Sequence, residues 1–386
     1  MCVRRYACKA AGRAGGFLDE AMRRLLPIVL AVMFLVSGAV RAFGQAALLL
    51  EEPFGRFGRF NPTGHAAIYL PRVCAETPVI LRLCEPDELG VVISRYHRID
   101  GYDWIAMPLV PYLYAVDDVK EIPKSANRSL EAELRDSYRR EHLEALVPDR
   151  PDGAMPKGEW IQLVGSSYDR KIYGFEMPTS LEQDERLIAD FNARKNRGHF
   201  NLLFHNCADF SRWVINTYYY PHALRRNWIV DVGITTPKQL VRSLERTSRK
   251  RQIPLKVFVI PQVPGSIPRS IRVDGVLEAF LKRKYVLPVA VLHPIVAGSL
   301  ALVYLGDGRF DLPKDPAVLD VAALSRNVHE QMDLPESASE ESPLTLTVMH
   351  APLLDDLPVP AKAGMSVQSR DSPQQSVVQA SMRTGS

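Results

Sequence analysis

Phe200 to Asn216, FNLLFHNCADFSRWVIN, constrains the fold more than any other stretch of the chain. Leu202, Leu203 and Phe204 make an apolar, strand-like lead. Beyond Asn206 and Cys207, the residues Phe210, Trp213 and Val214 recur at the three- and four-residue spacings of an amphipathic helix. A strand that turns into a helix here puts Cys207 at or near a helix N-terminus. Unpaired N–H groups and the positive end of the helix dipole at that position favour a thiolate and can hold a developing oxyanion. The same position also suits an unreactive cysteine capping a core helix.

A thiol nucleophile needs a base within hydrogen-bond reach, and the usual base is an imidazole. Of the nine histidines, His65 is the best placed, because Gly64-His65-Ala66-Ala67-Ile68-Tyr69-Leu70 reads as a buried strand that opens on the histidine. The competing reading is a satisfied core histidine after a turn glycine. His97, His142, His199 and His222 lie in polar or irregular sequence. His205, two positions from Cys207, would not face it, and a His205/Cys207 zinc pair lacks a second ligand pair. Neither a metal nor a cofactor is expected. A further strand, Pro78 to Cys84, follows a turn around 72–77. If it pairs with the His65 strand as a hairpin, Arg82, Cys84 and Glu85 fall beside His65.

A Gly64-His65 strand followed much later by Asn206-Cys207-x-x-Phe210 at a helix start resembles the circularly permuted papain-like thiol hydrolases, a group that includes the lecithin retinol acyltransferase-like proteins. His65 precedes Cys207 by 207 − 65 = 142 positions, the order that the permutation requires. The resemblance covers about residues 60–220. It implies an α+β fold with an antiparallel sheet packed on the helix bearing the cysteine, Cys207 as nucleophile and His65 as base. The group usually has a third polar residue, on the strand after the histidine, that orients the imidazole. No histidine stands there, and the hairpin register makes Glu85 the candidate.

Residues from Met22, MRRLLPIVLAVMFLVSGAVRAFGQA, have the charged start, apolar run and small residues of a secretory signal peptide, with Ala42 or Ala46 as candidate cleavage positions. Export fits the five cysteines, since removal of the leader with Cys2 and Cys8 leaves three, of which Cys74 and Cys84 can pair in an oxidising compartment and leave Cys207 free. The expected organisation is a leader over 1–46, the papain-like domain over 47–225, a basic helical and strand extension over 226–284, an apolar segment over 285–306 and a Pro/Ser-rich disordered tail over 307–386. Val286 to Leu305 is 20 residues without a charge, long enough to cross a bilayer, although Lys282, Arg283 and Lys284 sit against the positive-inside tendency. A buried helical hairpin is the alternative.

Within the expected domain, residues 47–63 read as an extended, turn-rich lead-in, 128–146 as a helix with a solvated charged face, and 160–164 and 171–175 as strands. A capping box at Thr179 or Ser180 starts another helix. The basic helix Lys238 to Arg251 reads as a solvated face or an anionic-lipid contact. With 46% hydrophobic and 24% charged residues and a net charge of +4 the chain is globular, and its basic clusters lack the interleaved aromatics of a nucleic-acid surface. The expected function is an exported, membrane-tethered cysteine hydrolase or acyltransferase of the cell envelope or periplasm. Its substrate would be an amide or ester in a peptide, peptidoglycan or lipid. The rival is a non-catalytic envelope protein that keeps the fold as a binding or scaffolding module.

Overall fold

The computed structural model describes residues 45–332 apart from 98, 229–230, 232, 283–285 and 309. Of the expected leader over 1–46, residues up to 44 lie outside the described residues, as do those from 333 onward of the tail expected over 307–386. Before that point the expected tail is corrected, because Ala317–Val318 joins the main sheet and Phe310 and Val321 are buried. The fold is α+β. Its strands are β1 (Gln45–Glu51), β2 (His65–Leu70), β3 (Val73–Thr77), β4 (Ile80–Leu83), β5 (Val91–Ser94), β6 (Ile105–Pro108), β7 (Ile172–Pro178), β8 (Lys256–Ile260) and β9 (Ala317–Val318). Seven of them form one sheet in the order β6-β5-β2-β1-β7-β8-β9, and β3 and β4 form a separate hairpin. The large sheet is antiparallel except for the two-residue β9, which runs parallel to β8 and makes the sheet mixed.

The centre of the sheet is buried on both faces. Ala46, Leu48, Leu50, Ala66, Ile68 and Leu70 enter one apolar core, while the alternate residues Ala47, Leu49, Ala67 and Tyr69 enter the other. A strand covered on both sides needs no polar alternation. That is why Gln45–Glu51 looks like the tail of a leader and the start of a turn-rich lead-in, although it is the strand β1 beside His65. Only Ala42 of the two candidate cleavage positions precedes it. Cys74 and Cys84 are disulfide-bonded across the β3–β4 hairpin, and Cys207 is free.

The helices that matter to the site are α1 (Leu109–Tyr114), α2 (Arg128–His142), α3 (Leu181–Ala193), α4 (Cys207–Val214) and α5 (Pro237–Arg251). Ser180 and Gln183 close the capping box of α3, which buries Leu187 and Phe191. In α2 the charge run is not simply solvated: Glu131, Arg135 and Arg139 are buried, and Arg135 donates to Asp169 at 2.9 Å and to the Val164 and Gly165 carbonyls at 3.0 Å. Buried charges persist where partners satisfy them this fully. Residues 159–162 form a 3₁₀ turn, not a strand. The sheet also continues past residue 225, with β8 against β7 and with Leu240, Val241 and Leu244 of α5 in the core that holds Cys207, so 226–284 is no separate extension.

After α6 (Val276–Lys282), the uncharged segment folds into two short helices, α7 (Val286–Leu292) and α8 (Pro294–Val303), broken at His293 with φ −139° and ψ 67°. Pro294 supplies the physical reason, since it disfavours helical backbone in the preceding residue. No helix among the described residues is long and apolar enough to cross a membrane, so the expected span is corrected. The alternative of a buried hairpin fails as well, because Leu287, Val291, Leu292, Ile295, Leu302 and Leu305 are exposed.

Candidate active site

Gly64 sets the position of His65. Its φ is +74°, and an added Cβ would stand 2.2 Å from the Glu51 carbonyl oxygen on β1, so only glycine lets the chain enter β2 this close to its neighbour. His65 is then paired with Glu51 in the β1–β2 register and is buried. The Glu51 carboxylate is buried too; Tyr112 of α1 donates to it, and Arg170 donates to its other oxygen at 2.9 Å.

Asn206 sets the position of Cys207. Its Oδ1 accepts from the Asp209 N–H at 2.9 Å as the N-cap of α4, and its Nδ2 donates to the Leu202 and Thr235 carbonyls at 3.0 and 3.1 Å. One side chain thus locks both the turn before the cysteine and the helix after it. That turn departs from expectation. Asn201 and His205 bridge each other's backbone around a tight turn, and Leu202, Leu203 and Phe204 are exposed at its tip, so they are not a strand. His205 is half-exposed and meets Asp103 at 3.3 Å.

The thiol is tied to Ala66 directly and the imidazole through Ser94; among the described residues Cys207 and His65 make no hydrogen bond to each other. The Ala66 N–H faces the Cys207 thiol, together with the N–H groups of Ala208 and Cys207 itself at the start of α4. The Ala66 carbonyl accepts from Ser94 Oγ at 2.7 Å, and Ser94 Oγ lies 3.0 Å from His65 Nε2. β5 pairs with β2 from Ile93–Ile68 to Val91–Leu70. Beyond that ladder, a serine hydroxyl and a cysteine sulfur take the Ala66 backbone groups that a further β5 residue would have paired.

The hydrogen-bond count selects the imidazole tautomer. Ser94 has one hydroxyl proton, and a carbonyl can only accept, so that proton goes to Ala66. Ser94 must then accept from His65 Nε2–H, which leaves the lone pair on Nδ1. Tyr96 stacks on the imidazole with ring centroids 5.2 Å apart. Its buried hydroxyl approaches Tyr112 but makes no hydrogen bond of acceptable geometry.

Burial dominates both titrating groups. It pushes the Cys207 thiol up to about 11, with the Ala66 N–H opposing, Glu51 adding and the helix-start N–H groups opposing again. It pushes the His65 imidazole down to about 4, against the Glu51 carboxylate and with Arg170 in support. The resting pair is therefore a neutral thiol and a neutral imidazole at neutral pH.

Of the three residues singled out in the sequence, His65 and Cys207 are drawn to the same backbone residue and Glu85 is not. β4 pairs with β3 instead of β2, and Glu85 follows β4 in an exposed turn, its N–H bonded to Glu88. The neighbour of β2 is β5, and the residue that this strand brings to His65 is Ser94. Its signal was a serine ending the otherwise apolar run VVIS. Ser94→Ala is expected to lower any His65-dependent activity by about ten- to a hundredfold by releasing the tautomer, with recovery in Ser94→Thr. It should cost about 1–3 kcal/mol of stability, read from denaturant unfolding, for the unsatisfied Ala66 carbonyl. Equal activity in Ser94→Ala and the parent would remove the serine from the site.

Two groupings of described residues are close enough to ligate a metal: Cys74, Cys84 and Glu88, whose cysteines are disulfide-bonded, and the exposed Asp117, Glu141 and His142. Neither includes a residue of the Cys207 site. Compared with known protein families, curated proteins and solved structures, the chain matches none.

Proposed function

We propose that the chain is a cysteine hydrolase or acyltransferase of the permuted papain-like kind, acting on an amide or ester. The observation that carries this reading is the tie of Cys207 to Ala66 directly and of His65 through Ser94, which fixes the imidazole so that Nδ1 is free to take a proton. Cys207 Sγ attacks the substrate carbonyl while its proton passes to Nδ1, and the carbonyl electrons move onto oxygen. N–H groups at the start of α4 hold that oxyanion. Collapse expels the amine or alcohol, which takes the proton back from His65 and leaves a thioester on Cys207. Water or an acceptor nucleophile, deprotonated by His65, then attacks the thioester and restores the thiol. Serine replaces Glu85 as the third residue of this reading. The test is covalent capture of an activated acyl ester by the full chain and by its Cys207 and His65 variants.

Substrates of the cell envelope, namely a peptide, peptidoglycan or a lipid, fit an exported chain with a disulfide. Leu202, Leu203 and Phe204, exposed just before the nucleophile, favour a substrate with an apolar part. Membrane association is proposed through the exposed apolar faces of α7 and α8, which lie on the bilayer surface without crossing it. Co-flotation of the full chain with vesicles, reduced several-fold by Ile295→Glu, is the expected result. Undiminished flotation in that variant counts against these helices. One observation favours the rival, non-catalytic reading: burial holds the thiol in its unreactive protonated form. In that case the fold serves as an envelope binding module.

A further inference from the structure

The last residues of the basic helix α5, Arg249 to Arg251, are exposed, but the helix is not bare along its length. The segment 221–227 lies along it, and the two line a half-open cleft of about 370 Å³, within the size range of small-ligand sites. Arg225, Arg226, Arg242, Arg246, Lys250 and Arg251 all line this space, and none of its lining residues is acidic. The segment is pinned in place. Arg225 N–H donates to Ser243 Oγ at 2.9 Å, Thr247 Oγ1 to the Ala223 carbonyl at 2.7 Å and Arg251 to the Pro221 carbonyl at 2.9 Å. The walls are thus built before any ligand arrives.

Arg242, Arg246 and Lys250 follow one another at four-residue spacing, so like charges stack along one helix face at a cost to the helix. The helix dipole explains cations in the last turn, such as Lys250 and Arg251, and the buried Asp231 carboxylate attracts Arg242, but neither explains Arg225 on the facing segment. The lone acid of α5, Glu245, turns to Arg249 at 3.1 Å and does not line the cavity. The side chains of Arg225 and Lys250 have no ion-pair or hydrogen-bond partner among the described residues. One wall residue has the opposite character. Gln239 is buried, its amide nitrogen donates to the Arg225 carbonyl, and its Oε1 has no partner. An unsatisfied buried acceptor among cations calls for a donor from the ligand.

We propose that this cavity binds a phosphate ester that carries a free hydroxyl. The phosphate oxygens take the guanidinium and ammonium donors of Arg225 and Lys250, and Arg242 and Arg246 in the wall add positive potential. The ligand hydroxyl donates to Gln239 Oε1. This site is formed by elements other than those bearing Cys207 and His65, and it stands whether or not the cysteine is catalytic.

The chemistry is shared by a free glycerol phosphate and by the headgroup of a phosphoglycerol lipid, and two probes separate them. Calorimetric titration of the full chain with glycerol 3-phosphate reads the free ester. Flotation with phosphatidylglycerol vesicles, measured against phosphatidylcholine vesicles, reads the headgroup. Saturable binding to at least one probe is expected, weakened roughly tenfold or more by Arg225→Glu with Lys250→Glu. Arg249→Glu, outside the cavity, should leave it unchanged. Gln239→Leu should weaken glycerol 3-phosphate more than inorganic phosphate. If the double reversal unfolds, Arg225→Gln and Lys250→Gln singly carry the same comparison. Absence of binding to both probes, or an equal loss in Arg249→Glu, overturns the site.

Discussion

Cys207→Ala is expected to abolish covalent capture of an activated acyl ester by the full chain, and His65→Ala to slow it by about 10²–10⁴-fold. The reasoning rests on the protonation states. A thiol pushed up to about 11 is almost wholly protonated at neutral pH, so attack on a carbonyl needs its proton removed during bond formation. His65, pushed down to about 4, is neutral and available for that task. Loss of the base therefore costs most of the rate, while loss of the sulfur removes the bond itself. Mass spectrometry of the labelled chain reads both. If His65→Ala captures the ester as fast as the parent, the thiol is acting alone and the pair is not an enzyme site. Capture that persists in Cys207→Ala would move the nucleophile elsewhere.

Simple alkylation should behave in the opposite way. Iodoacetamide reacts with thiolate only, and at pH 7 a thiol titrating near 11 presents about 10⁻⁴ of it, against a few per cent for a free cysteine. Cys207 is thus expected to alkylate about 300-fold more slowly than a model thiol at pH 7. The rate should rise about tenfold per pH unit until pH nears 11, and His65→Ala should leave it unchanged. Because the folded His65 titrates below its ordinary value, the neutral form persists down to about pH 4. The acid limb of acyl capture should accordingly lie near pH 4 and not near 6.5. A plateau of rapid alkylation below pH 8 would instead mean a standing thiolate–imidazolium pair. Slow alkylation combined with His65-independent acyl capture is the signature of the binding-module reading.

Much of this arrangement was legible from residue order. Gly64 before a buried run announced the start of β2, and Asn206-Cys207 before Phe210 announced the start of α4. Both are local signals, since a positive-φ glycine and an N-cap act within a few residues. Ser180 and Gln183 did the same for α3. The strand expected over 202–204 failed because three apolar residues satisfy a strand pattern equally well when a turn exposes them. The span expected over 286–305 failed because hydrophobicity sets no continuity of the helix, and Pro294 interrupts it.

Sequence alone determined that His65 opens a strand, that Cys207 opens a helix and that, past the expected leader with Cys2 and Cys8, a Cys74–Cys84 pair would leave Cys207 as the free thiol. Each follows from backbone conformational preference or from counting. Tertiary structure decided which strand lies beside β2. Strand pairing depends on long-range registry, and β4 and β5 are both short apolar runs that fit a hairpin equally well on paper. Choosing β5 exchanged Glu85 for Ser94, and with it an exposed carboxylate for a buried hydroxyl bonded to Ala66. The folded packing also decided the charge states, because desolvation is a property of what surrounds a group and not of its neighbours in the chain.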